Sequence, residues 1–91
     1  MAVYILRAVG VNRIKIGCTD DVARRVSEIA GMCPVAVEIV DVLESAGFSQ
    51  EAWLHEMLRS YWTHGEWFEE VGGLEQAQRS FAIYRAATAN V

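Results

Sequence analysis

The sequence has little that cross-links, kinks or anchors a chain. Its 91 residues include one proline and two cysteines. Cys18 and Cys33 are too few for a disulfide framework, and no Cys/His cluster has the spacing of a zinc site. Both are expected as reduced thiols in a cytoplasm. No apolar run is long enough to span a membrane: the longest uncharged internal stretch, Ile29 to Val37, is about half a span and contains Pro34. Met1 to Val9 is apolar but lacks a basic leading segment and is broken by Arg7, so it does not read as a secretion signal. A basic excess is missing too. Lys and Arg number 8 against 12 Asp and Glu, for a net charge of −4. A nonspecific binder of nucleic acid usually shows the opposite balance, because phosphate contacts supply most of its affinity.

What is present argues for one folded domain over residues 1–91. The chain is 53% hydrophobic and has three Trp, three Tyr and three Phe, which excludes disorder. It is too short for two separate cores, and a chain of this size buries roughly 65% of its unfolded surface. The charge is also unevenly placed. Residues 1–25 hold five basic residues and two acids, whereas residues 26–91 hold three basic residues and ten acids.

Val3-Tyr4-Ile5-Leu6-Arg7 alternates as a strand, with Val3 and Ile5 on one face and Tyr4 and Leu6 on the other. Gly10 and Asn12 supply turn chemistry, and Arg13 to Gly17 forms a second strand. The short connection makes the pair a hairpin. A helix follows, capped by Thr19 or Asp20 and ended by Gly31, with Val22, Val26 and Ile29 as its stripe. Arg25 lies about 60° from Val22 on the helical wheel, at the edge of that stripe, and Arg24 about 200° away on the solvent side. Val35 to Leu43 is the most strand-like run and is expected as a central third strand. Ser49 is expected to cap a helix from Gln50 to about Trp62. Glu66-Trp67-Phe68 reads as a short extended or turn segment. A last helix follows Gly72-Gly73, with Leu74, Ala77, Phe81, Tyr84 and Thr88 as its stripe. The expected class is α+β: a small three-stranded antiparallel sheet, a β-β-α-β-α core and a C-terminal helix.

Several segments together resemble a known superfamily. They are Val3-Tyr4-Ile5-Leu6, Ile14-Lys15-Ile16-Gly17-Cys18-Thr19, Arg25, Glu51 with Leu54-His55, and Gly65-Glu66-Trp67-Phe68. In this order and spacing they are similar to the GIY-YIG endonucleases, in the phage and bacterial branch with a KIG second motif and a GEWF box. The resemblance covers about residues 3–68. It implies cleavage of DNA phosphodiesters with one divalent metal, Mg²⁺ or Mn²⁺, in the cytoplasm of a bacterial or phage-infected cell. It matches Tyr4 to the first-motif tyrosine and places Lys15 where the second motif usually has tyrosine. It matches Arg25 to the catalytic arginine, Glu51 to the metal-binding glutamate, and His55 and Glu66-Trp67 to branch-specific positions. Tyr4, Lys15, Arg25 and His55 are thus the catalytic candidates and Glu51 the metal candidate.

The residue chemistry suits those assignments. Glu51 is a hard oxygen ligand, and the planar fork of Arg25 can hold a phosphate. Lys15, expected beside Tyr4 across the hairpin, would favour a phenolate able to take a proton, or would bind phosphate as a point charge. Taken singly, the same residues read more plainly. Tyr4 is a core aromatic, Arg25 and Lys15 are surface charges, Glu51 and His55 form a helix pair, and Trp67 and Phe68 pack. Cys18, near a helix start, is a candidate low-pKa thiol. The partner expected is DNA, including branched or nicked forms, together with a homodimer mate or a protein partner; no membrane is expected. Two other function classes fit the acidic remainder: a catalytically inactive GIY-YIG-fold binding or interaction protein, and an acidic mimic of nucleic acid whose late acids would cluster on one surface.

Overall fold

Alternation of apolar side chains sets the first two strands. In the computed structural model, which describes residues 1–89, β1 (Ala2–Ala8) and β2 (Arg13–Thr19) pair antiparallel. Val3, Ile5, Ile14 and Ile16 face one side of the sheet, and Tyr4 and Leu6 the other. The connecting turn places Gly10 and Asn12 in the left-handed region, at φ 84° and 53°. Asn12 does more than turn the chain. Its side-chain oxygen accepts from the Val71 N–H at 2.8 Å, and its carbonyl accepts from the Glu70 N–H at 3.3 Å. The hairpin turn is thereby tied to the segment that enters the last helix.

Helix α1 (Val22–Met32) is capped by Asp21, whose side chain accepts from the Arg24 N–H at 3.1 Å. Neither expected cap takes this place: Thr19 instead accepts from the Asp21 N–H, and Asp20 lies beside Arg24 at 3.5 Å. The helix runs through Gly31 to Met32. Its buried Ile29 and half-buried Val26 pack on Tyr4 and Leu6, so α1 covers one face of the sheet. Helices α2 (Phe48–Met57) and α3 (Gly73–Thr88) cover the other. There Leu54, Leu58, Ala77 and Phe81 meet Val3, Ile5, Ile14 and Ile16. Leu54 is fully buried, and its truncation to alanine should cost about 2–5 kcal/mol. Thr88, expected on the α3 stripe, is exposed.

The sheet has five strands, not the three expected. Strands β3 (Val37–Glu44), β4 (Trp62–His64) and β5 (Trp67–Glu69) complete it in the order β3-β1-β2-β5-β4. All pairings are antiparallel. β3 is an edge strand rather than a central one, because β1 is already bonded to β2 on its other side. Ile39, on β3, is accordingly 48% exposed. The second helix is shorter than expected. It begins without help from Ser49: the Gln50 side chain accepts from the Gly47 N–H at 2.8 Å. It ends at Met57, a single 3₁₀ turn covers Arg59–Tyr61, and the chain turns into β4. Among the described residues no helix is long and apolar enough to cross a membrane.

Candidate active site

Strand β5 is only three residues long, and this leaves part of β2 uncovered. β5 pairs with β2 from Arg13 to Lys15. One residue further, the Ile16 N–H donates to the Glu66 carbonyl at 3.1 Å. The Ile16 carbonyl is met by His55 Nε2 at 2.9 Å, so that nitrogen carries the proton and donates. The His55 ring also rests edge-on against Phe68, with centroids 5.1 Å apart. His55 therefore closes the β2 edge where β5 runs out. The next residue, Gly17, stands opposite Tyr4 in the hairpin register. A Cβ on Gly17 would overlap the phenol, 2.5 Å from its Cζ. Glycine is required here to make room for the Tyr4 ring. The ring is fully buried, and its hydroxyl has no hydrogen-bond partner.

Charged groups from three elements surround that hydroxyl, and Lys15 reaches them from a fourth through Glu66. Arg25, on α1, lies close enough to influence it, although it makes no well-formed hydrogen bond. Glu51, in the first turn of α2, and Glu66, in the β4–β5 turn, bring their carboxylates within reach of a shared proton. Lys15 Nζ, on β2, is 3.2 Å from Glu66 Oε1 and 5.2 Å from the centroid of the Trp67 ring. Burial holds the Tyr4 phenol above its ordinary pKa. The Glu66 charge adds to this, Arg25 opposes it, and Glu51 adds a smaller push. Burial also raises the Glu51 carboxyl, and the like charge of Glu66 raises it further. His55 and Lys15 pull it back.

Tyr4, Lys15, Arg25, Glu51 and His55 thus come together around one end of β2. Their relations differ from expectation in two ways. Lys15 stands opposite Leu6, not Tyr4, and the cation near the phenol is Arg25. The environment keeps the phenol neutral instead of biasing it to phenolate, because burial and two carboxylates outweigh one guanidinium. Cys18 is buried, and burial raises its thiol, so it is not an activated thiolate.

Glu66, which the resemblance matches only to a branch-specific position, stands at the centre of the charged cluster. It touches Lys15, Glu51 and, through charge, Tyr4. Its only signal in the sequence is its place before Trp67-Phe68. The ten late acids do not form one surface. They sit on α1, β3, α2, β5, α3 and the turns beside β5, and six of them (Glu28, Glu38, Asp41, Glu56, Glu66 and Glu70) are in ion pairs. This scatter counts against mimicry of nucleic acid.

Glu51 and Glu66 form a donor set of hard oxygens whose mutual repulsion a cation would relieve. Among the described residues no group of three or more His, Cys, Asp or Glu is placed to hold a metal ion. A cation held by this pair would therefore complete its shell with water. A family model described as the T5orf172 domain matches residues 1–85, and the chain belongs to that family. The T5orf172 domain is related to the GIY-YIG, nuclease-like fold. No curated protein and no solved structure matches the chain.

Proposed function

We propose that this T5orf172 domain is a GIY-YIG-type endonuclease that hydrolyses DNA phosphodiester bonds with Mg²⁺ or Mn²⁺. One observation carries the reading. A buried tyrosine hydroxyl without a partner, an arginine and a carboxylate pair, drawn from four separate elements, meet at one place. Buried polar groups are normally satisfied, and one left open among charged groups fits a site built for a ligand. Glu51, with Glu66 beside it, would hold the divalent cation. When bound, that cation supplies charge neutralisation at the phosphoryl oxygens and lowers the pKa of water.

The protein's own residues do the rest. Arg25 presents a planar fork to the phosphate, and only a pair to Glu28 at 3.5 Å holds it back. The Lys15 ammonium adds a second positive charge on the same side. Tyr4 holds a proton at its hydroxyl oxygen. Burial chiefly holds that proton in place, the two glutamates add to this and Arg25 opposes it, so offsetting the glutamate charge removes part of the barrier to proton transfer. His55 keeps the end of β2 in place through the Ile16 carbonyl.

The test is nicking of supercoiled DNA with Mg²⁺. Glu51→Gln, Arg25→Ala and Tyr4→Phe should each lose at least about 100-fold in rate, in keeping with loss of a charge-stabilising or proton-transferring group. Full activity in all three would refute the assignment. A wild-type protein that binds DNA stably but cuts no DNA with either metal would favour the inactive-scaffold reading instead. That alternative draws support from the pairing of Lys15 with Glu66 and of Arg25 with Glu28, which engages both site cations internally.

A further inference from the structure

Hairpin register puts Arg13 and Lys15 on the same face as Tyr4 and Leu6, and puts Trp67 beside Lys15. Helix α1 covers Tyr4 and Leu6, but the β2–β5 half of this face stays open. Three adjoining cavities follow that open half. The innermost, about 300 Å³, contains Lys15, Arg25 and Glu66 of the candidate active site. The middle one, about 280 Å³, is walled by Ile29, Met32, Pro34 and Trp67, with Lys15 at its inner end. The outermost, about 300 Å³, continues past Pro34 and Trp67 to Arg13 and His64. Lys15 and Met32 are shared by the first two, and Trp67 and Pro34 by the last two, so the three form one groove.

We propose that this groove takes an unpaired DNA nucleotide next to the cleaved phosphate, with its base against Trp67 and the following phosphate at Arg13. The inference rests on the nuclease reading and adds the form of the substrate. The middle of the groove is apolar, which suits the face of a base and disfavours a phosphate. In an intact duplex the base faces are stacked on one another and cannot reach such a wall. Only an unpaired or extruded nucleotide presents one. Lys15 links the two ends, since its ammonium serves the phosphate side while it lies 5.2 Å from the Trp67 ring centroid.

Arg13 suits the outer end. Arg7, Lys15, Arg24 and Arg25 are all in salt bridges, but among the described residues Arg13 is in none. Its guanidinium donates to the Asn12 carbonyl at 2.8 Å, which leaves most of its five N–H donors open.

The test is binding by the full chain in EDTA, followed by fluorescence polarisation. The probes are a labelled duplex and the same duplex carrying a short single-stranded gap. Gapped DNA should bind more tightly than intact duplex. Trp67→Ala should weaken binding of gapped DNA about tenfold or more and leave duplex binding unchanged. Trp67→Phe, which keeps a stacking face, should recover most of the loss. Met32→Glu, at a side chain 79% exposed, should weaken gapped-DNA binding without disturbing the sheet. Equal binding of gapped and intact DNA by the wild type overturns the groove assignment, as does an equal effect of these variants on both probes. A protein that cuts DNA yet shows no gap preference overturns the groove alone. One that neither binds nor cuts DNA overturns the nuclease reading and the groove together.

Discussion

Tyr4→Phe should stabilise the protein while abolishing its activity. The substitution removes one oxygen, which is fully buried and bonded to nothing. Burying a hydroxyl without a partner costs about 1–3 kcal/mol in proteins. The phenylalanine ring keeps the packing over Gly17 and on α1, so little is lost against that gain. A stabilisation of about 1 kcal/mol or more is expected. In a domain of this size each kcal/mol raises Tm by roughly 4–8 °C. Urea unfolding followed by tryptophan fluorescence would measure it, alongside the nicking assay. The sign decides the matter. A hydroxyl satisfied by a partner normally loses about 1 kcal/mol on removal. A Tyr4→Phe protein less stable than wild type by that amount would refute the claim that the hydroxyl is held open for a ligand. Arg25 is the nearby group that could supply a bond. The same substitution in an Arg25→Ala background should therefore give the same gain to within about 0.5 kcal/mol. A clear departure would mean that Arg25 bonds the phenol in the resting protein.

Three further outcomes are expected. Gly17→Ala should destabilise by about 1–3 kcal/mol in urea unfolding, because its Cβ overlaps the Tyr4 ring; wild-type stability would refute the tight packing. Mg²⁺ should raise the Tm of the wild type but not of Glu51→Gln. At ten times Kd the gain is about 1.4 kcal/mol, and an equal rise in both proteins would remove Glu51 from the metal site. Arg85 donates two bonds to the Asp41 carboxylate, both 2.9 Å, and holds its carboxyl below the usual carboxylate range. A depressed carboxylate contributes stability above its unfolded pKa of about 3.9 and loses it as pH falls through the folded value. Unfolding free energies should then show Arg85→Ala weaker than wild type at pH 7, with the gap closing below about pH 4. A gap unchanged down to pH 2 would contradict the pairing.

Much of the fold is legible in local pattern. The alternation of Val3 to Leu6 and of Arg13 to Gly17 gives the hairpin and its two faces, and the Val22, Val26 and Ile29 stripe gives α1. The missed strands are the short ones. Trp62–His64 and Trp67–Glu69 are three residues each, too brief for a period to show, and the first follows directly on a helical pattern. The edge position of β3 is hidden for a different reason. Its Val-Glu-Ile-Val-Asp-Val-Leu run reads as a strand buried on both sides, but pairing order is set by β2 and β5, far along the chain.

The site divides in a similar way. Tyr4, Arg25 and Glu51 are legible because residue type, spacing and secondary structure agree. Their mutual electrostatics are not, because these depend on which side chains the register and the β4–β5 turn bring together. Lys15, which hairpin proximity alone would set against Tyr4, acts on Glu66 instead, two residues along the same strand from the tyrosine's partner Gly17.

Charge shows best why position matters more than total. The first quarter of the chain is basic, and Arg25, Lys15 and Arg13 do line one groove of the folded molecule. Two of these three are neutralised by acids from the acidic remainder, Glu28 and Glu66. Four of the other eight late acids pair with Arg7, Arg59 and Arg85. The net charge of −4 is therefore not an acidic face that would repel DNA. It is the residue left after most cations have been paired within the protein. Affinity for a polyanion must then come from exchanging internal pairs for phosphate and from contacts other than charge. An apolar wall and an aromatic ring beside the active-site cations are contacts of that second kind, and they favour a strand whose bases are free to use them.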